Sequence, residues 1–173
     1  MDVPALAALV RDVPDFPEPG ILFKDITPVL AKAEAFALVV DELCARIEPS
    51  GASVVAGIEA RGFVFAAPVA AELGLGFVPV RKRGKLPWRT VAEEYALEYG
   101  SATVEIHEDA IDVGAKVAIV DDVLATGGTA AATCALVERL GGEVAAVTVL
   151  IELLALGGRA RLAGRTVDAI LTY

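Results

Sequence analysis

The stretch Val117-Ala118-Ile119-Val120-Asp121-Asp122-Val123-Leu124-Ala125-Thr126-Gly127-Gly128-Thr129 decides the fold. Its first four residues are an unbroken apolar run, the pattern of a central parallel strand covered on both faces. Two acids end the run, and a small-residue turn opens a helix marked by Leu136, Val137 and Leu140, which Gly141-Gly142 terminates. The backbone N–H groups of Ala125 to Thr129 then gather at a helix N-terminus, a ready anion site. Gly127 and Gly128 let the main chain approach closely, and Thr126 and Thr129 add hydroxyl donors. Two carboxylates beside such a cradle suit a ligand with hydroxyls between its phosphate and the strand end, because an ionised Asp only accepts hydrogen bonds. A ribose 5-phosphate has that layout. Taken alone, Asp121-Asp122 reads first as a helix cap with acids near the positive end of the dipole, and only the whole string favours the ligand.

Working outward, Val54-Val55-Ala56 reads as a short buried strand, Gly57 to Arg61 as a turn, and Gly62 to Leu73 as a helix carrying Pro68. Gly76 to Val80 is another strand. Phe36, Val39, Val40, Leu43 and Ile47 follow the helical period, and Pro49-Ser50-Gly51 closes that helix. Nearer the start, Leu6, Leu9 and Val10 suggest a short helix ended by Pro14 and Pro17, and Asp15 to Pro28 reads as an ordered apolar loop. Arg81 to Arg89 has no apolar period and reads as an exposed loop. The segments Tyr95 to Tyr99 and Ala102 to His107, broken by Gly100-Ser101, look like a hairpin, and Val144 to Leu150 and Val167 to Leu171 are further strands. Strands alternating with helices imply an α/β fold: an open, mostly parallel central sheet flanked by helices, with ligands outside the carboxyl ends of the strands. With 173 residues, 55% of them hydrophobic, and no repeat or flexible linker, one domain over 1–173 is expected.

Several classes are disfavoured. No apolar run approaches the roughly 18 residues of a membrane span, and Val144 to Ile151 is broken by Thr148. Met1-Asp2-Val3-Pro4 lacks the basic and apolar regions of a secretory signal, so a cytoplasmic location is expected. Cys44 and Cys134 sit in helical patterns as small buried hydrophobes, and the one histidine, His107, is expected on a strand without a catalytic role. A zinc site or His-based triad has no material to build from. A net charge of −9 argues against nonspecific binding to nucleic acid or anionic membrane. A small anion remains admissible because Arg81, Lys82, Arg83, Lys85 and Arg89 cluster within one segment.

The 117–129 string resembles the phosphoribosyl pyrophosphate (PRPP) signature of type I phosphoribosyltransferases. Asp15 to Pro28 looks like the N-terminal base-binding segment of the adenine phosphoribosyltransferases, and Gly57-Ile58-Glu59-Ala60-Arg61-Gly62-Phe63 resembles their pyrophosphate loop. Arg81-Lys82-Arg83-Gly84-Lys85-Leu86-Pro87 resembles the start of their mobile loop, and Tyr95-Ala96-Leu97-Glu98-Tyr99-Gly100 its end. The likeness runs through nearly the whole chain in order.

That resemblance implies transfer of the phosphoribosyl group of PRPP to adenine, giving AMP and pyrophosphate in purine salvage. Asp121, Asp122, Ala125, Thr126, Gly127, Gly128 and Thr129 would hold ribose and 5-phosphate. Glu59, Ala60, Arg61, Arg81, Lys82 and Lys85 would meet the pyrophosphate. Leu22, Phe23 and Lys24 would hold adenine, in part through backbone groups of Leu22 and Lys24, and Glu98 would be the general acid toward the purine. Arg61 opposes the dipole of the helix it starts unless an anion lies nearby. Magnesium would ride mainly on PRPP and water, without a protein cage. A homodimer is implied. The open alternatives are another base (xanthine, hypoxanthine, guanine or orotate) or a non-catalytic PRPP-sensing regulator.

Overall fold

A computed structural model of the chain describes residues 1–96 and 100–173. In chain order its elements are helix α1 (Val3–Ala7), strands β1 (Arg11–Pro14) and β2 (Leu22–Asp25), helices α2 (Thr27–Leu30) and α3 (Ala33–Ile47), strand β3 (Val54–Ile58) and helix α4 (Arg61–Glu72). There follow β4 (Gly76–Lys82), β5 (Thr90–Ala96), β6 (Ser101–His107), β7 (Lys116–Leu124), α5 (Gly128–Arg139), β8 (Glu143–Glu152) and β9 (Val167–Thr172). Seven strands form one sheet in the order β5-β6-β4-β3-β7-β8-β9. The five from β4 to β9 run parallel, and β6 and β5 extend the sheet antiparallel at one edge.

The unbroken apolar run in β7 has its expected cause. Ala118 and Val120 enter the core beneath α3 and α4, whereas Val117 and Ile119 enter the core beneath α5, so both faces of the strand are covered. Each fully buried branched side chain in these two cores contributes roughly 1.5–3 kcal/mol. Helix α3 buries Ala35, Val39, Val40, Leu43, Cys44 and Ile47, the stripe its 3.6-residue period requires.

β3 continues through α4 to β4 on one side, and β7 through α5 to β8 on the other, so the order reverses between β3 and β7. Their register pairs Gly57 with Val120, which brings Glu59 and Asp121-Asp122 out of the sheet side by side at its carboxyl edge. Such a reversal opens a crevice, and the site lies there.

Four expectations change. Residues 15–28 are not simply a loop: β2 pairs antiparallel with β1, matching Arg11 to Asp25 and Pro14 to Leu22 in a two-stranded arm. Pro14 is tolerated because it ends an edge strand, where no ladder N–H is required. The first helix stops at Ala7, well before the prolines. The basic segment is not wholly a loop either, since Arg81 and Lys82 complete β4 and pair with Glu105 and Val104 of β6. The hairpin is present and its first arm begins earlier, at Thr90. Among the described residues no helix is long and apolar enough to cross a membrane.

Candidate active site

A cleft of about 540 Å³ opens at the β3–β7 crevice. At one end, β7 runs into the turn that starts α5. Gly127 is the N-cap, at φ +78°, and among the described residues no side chain caps the helix, so its first N–H groups are open to a ligand. A recess of about 70 Å³ is lined by Thr126, Gly127, Gly128 and Thr129. The turn is braced from behind: a Cβ on Gly127 would stand 2.3 Å from the Gly158 carbonyl oxygen, and one on Gly158 would stand 2.2 Å from that of Ala125. Two backbones therefore touch where only glycine fits.

In the middle of the cleft, the loop from β3 presses on the acids. The Glu59–Ala60 peptide is cis, and a Cβ on Gly62 would lie 2.8 Å from Asp121 Oδ1. Arg61, first residue of α4, has its Nε 2.7 Å from Oδ2 of Asp122, a residue only 5% exposed. That approach is off the N–H axis, so Oδ2 is buried with a charge beside it and no hydrogen-bond donor among the described residues. Burial pushes both carboxyls upward. Asp121 rises well above the ordinary range, with the Asp122 charge adding to its burial, while Arg61 opposes the rise at Asp122. The two acids thus sit in unequal surroundings, with Arg61 against Asp122. Asp122 is the nearby anion that offsets the Arg61 cation at the positive end of the helix.

The cations collect at the mouth. Arg81 forks onto Glu59, with Nε 3.1 Å from Oε2 and Nη2 3.2 Å from Oε1, and its Nη1 donates to the Lys85 carbonyl at 2.9 Å. Arg81 holds the Glu59 carboxyl below its usual range. Glu59 is therefore the partner that orients a cation. Lys82 lines the cleft, and Lys85 is exposed.

The opposite end is apolar. Ile21, Leu22 and Phe23 meet Leu153 and Leu156, and the Phe23 ring is held by the edge of Phe16 at 5.1 Å and by Arg61 at 5.0 Å. Lys24 turns its ammonium away onto Asp12, at 2.5 Å, and over the Tyr173 ring at 3.9 Å, leaving its main chain to the cleft. The structure thus brings together Leu22, Phe23, Lys24, Glu59, Ala60, Arg61, Lys82, Asp121, Asp122, Ala125 and Thr129 around one cavity. Thr126, Gly127 and Gly128 line the recess beside it, and Arg81 and Lys85 flank the mouth. Glu98 lies outside the described residues.

Four participants were missed. Tyr95 lines the cleft, and Leu153 and Leu156 form its far apolar wall. Glu105, 5% exposed, accepts from the N–H groups of Gly84, Lys85 and Leu86 at 3.0–3.2 Å and so fixes the basic turn. Leu153 to Gly158 carried a usable signal: apolar residues and two glycines directly after a strand's carboxyl end. Glu105 carried none, because an acid on a hairpin reads as a solvated face.

An anion cradle, a carboxylate pair and a cation-lined mouth at the switch point of a parallel sheet define a phosphoribosyltransferase, and the sequence profile of the phosphoribosyl transferase domain matches residues 29–167. The adenine phosphoribosyltransferase of Roseiflexus castenholzii is 56% identical over 97% of this chain and 98% of its own, and that of Kineococcus radiotolerans 59% identical over 94% and 88%. The crystal structure of the adenine phosphoribosyltransferase from Thermoanaerobacter pseudethanolicus superposes with a TM-score of 0.97 at 48% identity, covering 99% of this chain and 100% of that one. The Saccharomyces cerevisiae enzyme, crystallised with an imino-altritol bisphosphate and adenine, superposes with a TM-score of 0.93 at 38% identity, covering 97% of each chain. The chain belongs to the adenine phosphoribosyltransferase family.

Proposed function

We propose that this protein, as a single catalytic domain, transfers the 5-phosphoribosyl group of PRPP to adenine, forming AMP and pyrophosphate in purine salvage. One observation carries the reading: one cleft and its adjoining recess bring together a helix N-terminus uncapped among the described residues, a buried Asp122 oxygen with no hydrogen-bond donor among them, and an apolar wall of Leu22, Phe23, Leu153 and Leu156. Phosphate, ribose hydroxyls and purine present the complementary chemistry in that order.

The Ala125–Thr129 turn takes the 5-phosphate on its N–H groups, and the ribose hydroxyls donate to Asp122 and Asp121. Those donors give Asp122 Oδ2 the hydrogen bonds it lacks, so binding should draw both acids toward the ionised form. Pyrophosphate leaves toward Arg61, Lys82, Lys85 and the Glu59-oriented Arg81, where cations stabilise its growing charge. Positive charge building on the ribose ring, as in other substitutions at a sugar carbon, faces the two aspartates. Adenine lies against the apolar wall, held in part by main-chain groups of Leu22 and Lys24; Glu98 takes up the ring proton adenine loses as it attacks and, in the reverse direction, returns it as general acid to the leaving purine.

The oxygen chemistry of Asp121 and Asp122 fits a hard divalent cation, held through water and mainly by the substrate, and Mg²⁺ would neutralise pyrophosphate charge there. Among the described residues no cluster of three or more His, Cys, Asp or Glu offers a protein cage. We further infer a cytoplasmic homodimer.

The test is pyrophosphate release with PRPP, Mg²⁺ and a panel of bases. Adenine should be turned over in strong preference to hypoxanthine, guanine, xanthine and orotate. Equal or greater turnover of another base would refute the assignment, and PRPP binding without release for any base would favour a sensor.

A further inference from the structure

Tyr95, on the β5 strand of the hairpin, touches the anion cradle. Its ring lies on Gly128, where an added Cβ would come within 2.9 Å of Tyr95 Cδ2. Its phenol oxygen shares a hydrogen bond with Thr129 Oγ1 at 3.0 Å. The strand that carries it is tied to the same helix: Arg139 Nη1 donates to the Ala92 carbonyl at 2.8 Å, and Arg139 also pairs with Glu93. Tyr95 and Thr129 both line the large cleft, and Thr129 lines the phosphate-sized recess as well.

A threonine hydroxyl has one proton to give and two lone pairs to receive with, and a phenol likewise donates one proton. Across 3.0 Å either hydroxyl can donate to the other, and the Thr129 proton can also turn away from Tyr95. A phosphate oxygen only accepts, so Thr129 can serve it only by turning that proton into the cradle. This would leave the two hydroxyl oxygens facing each other at hydrogen-bond distance without a proton between them, unless the phenol turns its own O–H toward Thr129.

We propose that Tyr95 is a positioning residue for the 5-phosphate: when the cradle fills, Tyr95 donates to Thr129 and Thr129 donates to phosphate. No bond other than hydrogen bonds changes and no proton leaves its oxygen. The relay makes the β5 strand part of the binding site, and it polarises the Thr129 hydroxyl toward the anion, as chains of hydrogen bonds do. It rests on the reading of the Ala125–Thr129 turn as the 5-phosphate site.

The experiment compares the native protein with Tyr95→Phe, Thr129→Ala, Thr129→Ser and the Tyr95→Phe/Thr129→Ala pair. For each, the Kd of ribose 5-phosphate and of pyrophosphate is measured by calorimetry, with KM for PRPP, kcat and melting temperature. The phenylalanine keeps the ring on Gly128, so the variant should fold. Tyr95→Phe should weaken ribose 5-phosphate and raise KM for PRPP about 3- to 10-fold, the range for one neutral hydrogen bond. It should leave pyrophosphate affinity and kcat within about twofold. Thr129→Ala should weaken ribose 5-phosphate at least as much, Thr129→Ser should not, and adding Tyr95→Phe to Thr129→Ala should cost nothing further. Additive losses in the pair, or an unchanged Kd in Tyr95→Phe beside a weakened Thr129→Ala, would overturn the relay and leave the cradle standing. If the native protein failed to bind ribose 5-phosphate, or Thr129→Ala bound it normally, the relay and the phosphate reading would fall together.

Discussion

Replacing Gly158 by Ala tests whether the phosphate turn works by fixed geometry. The new methyl would stand 2.2 Å from the Ala125 carbonyl oxygen and 2.9 Å from the Gly127 nitrogen, both main chain, where ordinary contact begins near 3.4 Å. About 1 Å of backbone must give way, and the rigid neighbour is the 125–127 turn whose N–H groups face the phosphate. Overpacking of this kind costs roughly 1–3 kcal/mol of stability, and a 1 Å misplacement in a reacting complex can cost about 100-fold in rate. We expect kcat/KM for PRPP to fall by about 100-fold, with a modest drop in melting temperature. Gly157→Ala is the control. That residue sits at φ +62° with nothing within 4 Å of its Cβ position, so it should lose about 1–2 kcal/mol of stability from strain and little activity. Pyrophosphate release against varied PRPP, with urea denaturation alongside, reads both. A Gly158→Ala enzyme with native kinetic constants would refute the idea that the glycine contact sets the turn.

The buried acid makes a prediction about pH. The folded-state pKa of Asp121 is raised above its ordinary 3.8, so the folded protein binds the extra proton, and stability falls as pH rises from about that value through the raised one. Asp121→Asn should therefore raise the melting temperature at pH 7 and flatten that slope while weakening PRPP use; an unchanged slope would show that burial does not perturb this carboxyl. Trp88, 62% exposed in the basic turn, should change fluorescence on addition of PRPP with Mg²⁺, with Arg81 to Arg89 gaining protection from trypsin. Neither signal responding at saturation would exclude a closing lid. Glu98→Gln should lose much of kcat but little PRPP affinity, and Glu98→Ala should lose more, because general acid catalysis is worth roughly 10²–10⁴-fold and Gln keeps one N–H donor. Full kcat in both, where chemistry limits the rate, would remove Glu98 from the mechanism.

What the sequence determined by itself was whatever depends on neighbours along the chain. The apolar run Val117 to Val120, the stripe from Phe36 to Ile47, and the glycines and threonines of 125–129 act through strand and helix periods or through local backbone freedom, and all lie where their pattern puts them. Its errors had local causes too: β1 and β2 are four-residue segments joined through a stretch dense in proline and glycine, and only cross-strand hydrogen bonds make them strands. Tertiary structure alone decided which partner each polar group received. Glu59 takes Arg81 from a different strand, Arg61 takes Asp122, Glu105 takes the N–H groups of Gly84 to Leu86, and Gly158 meets Gly127 across a chain reversal. A side chain's charge and shape are written in the sequence. Its burial and its partner are not, because they are set by the free energy of packing surfaces that are distant along the chain, and those contacts place the aspartates, the cations and Tyr95 around one cleft.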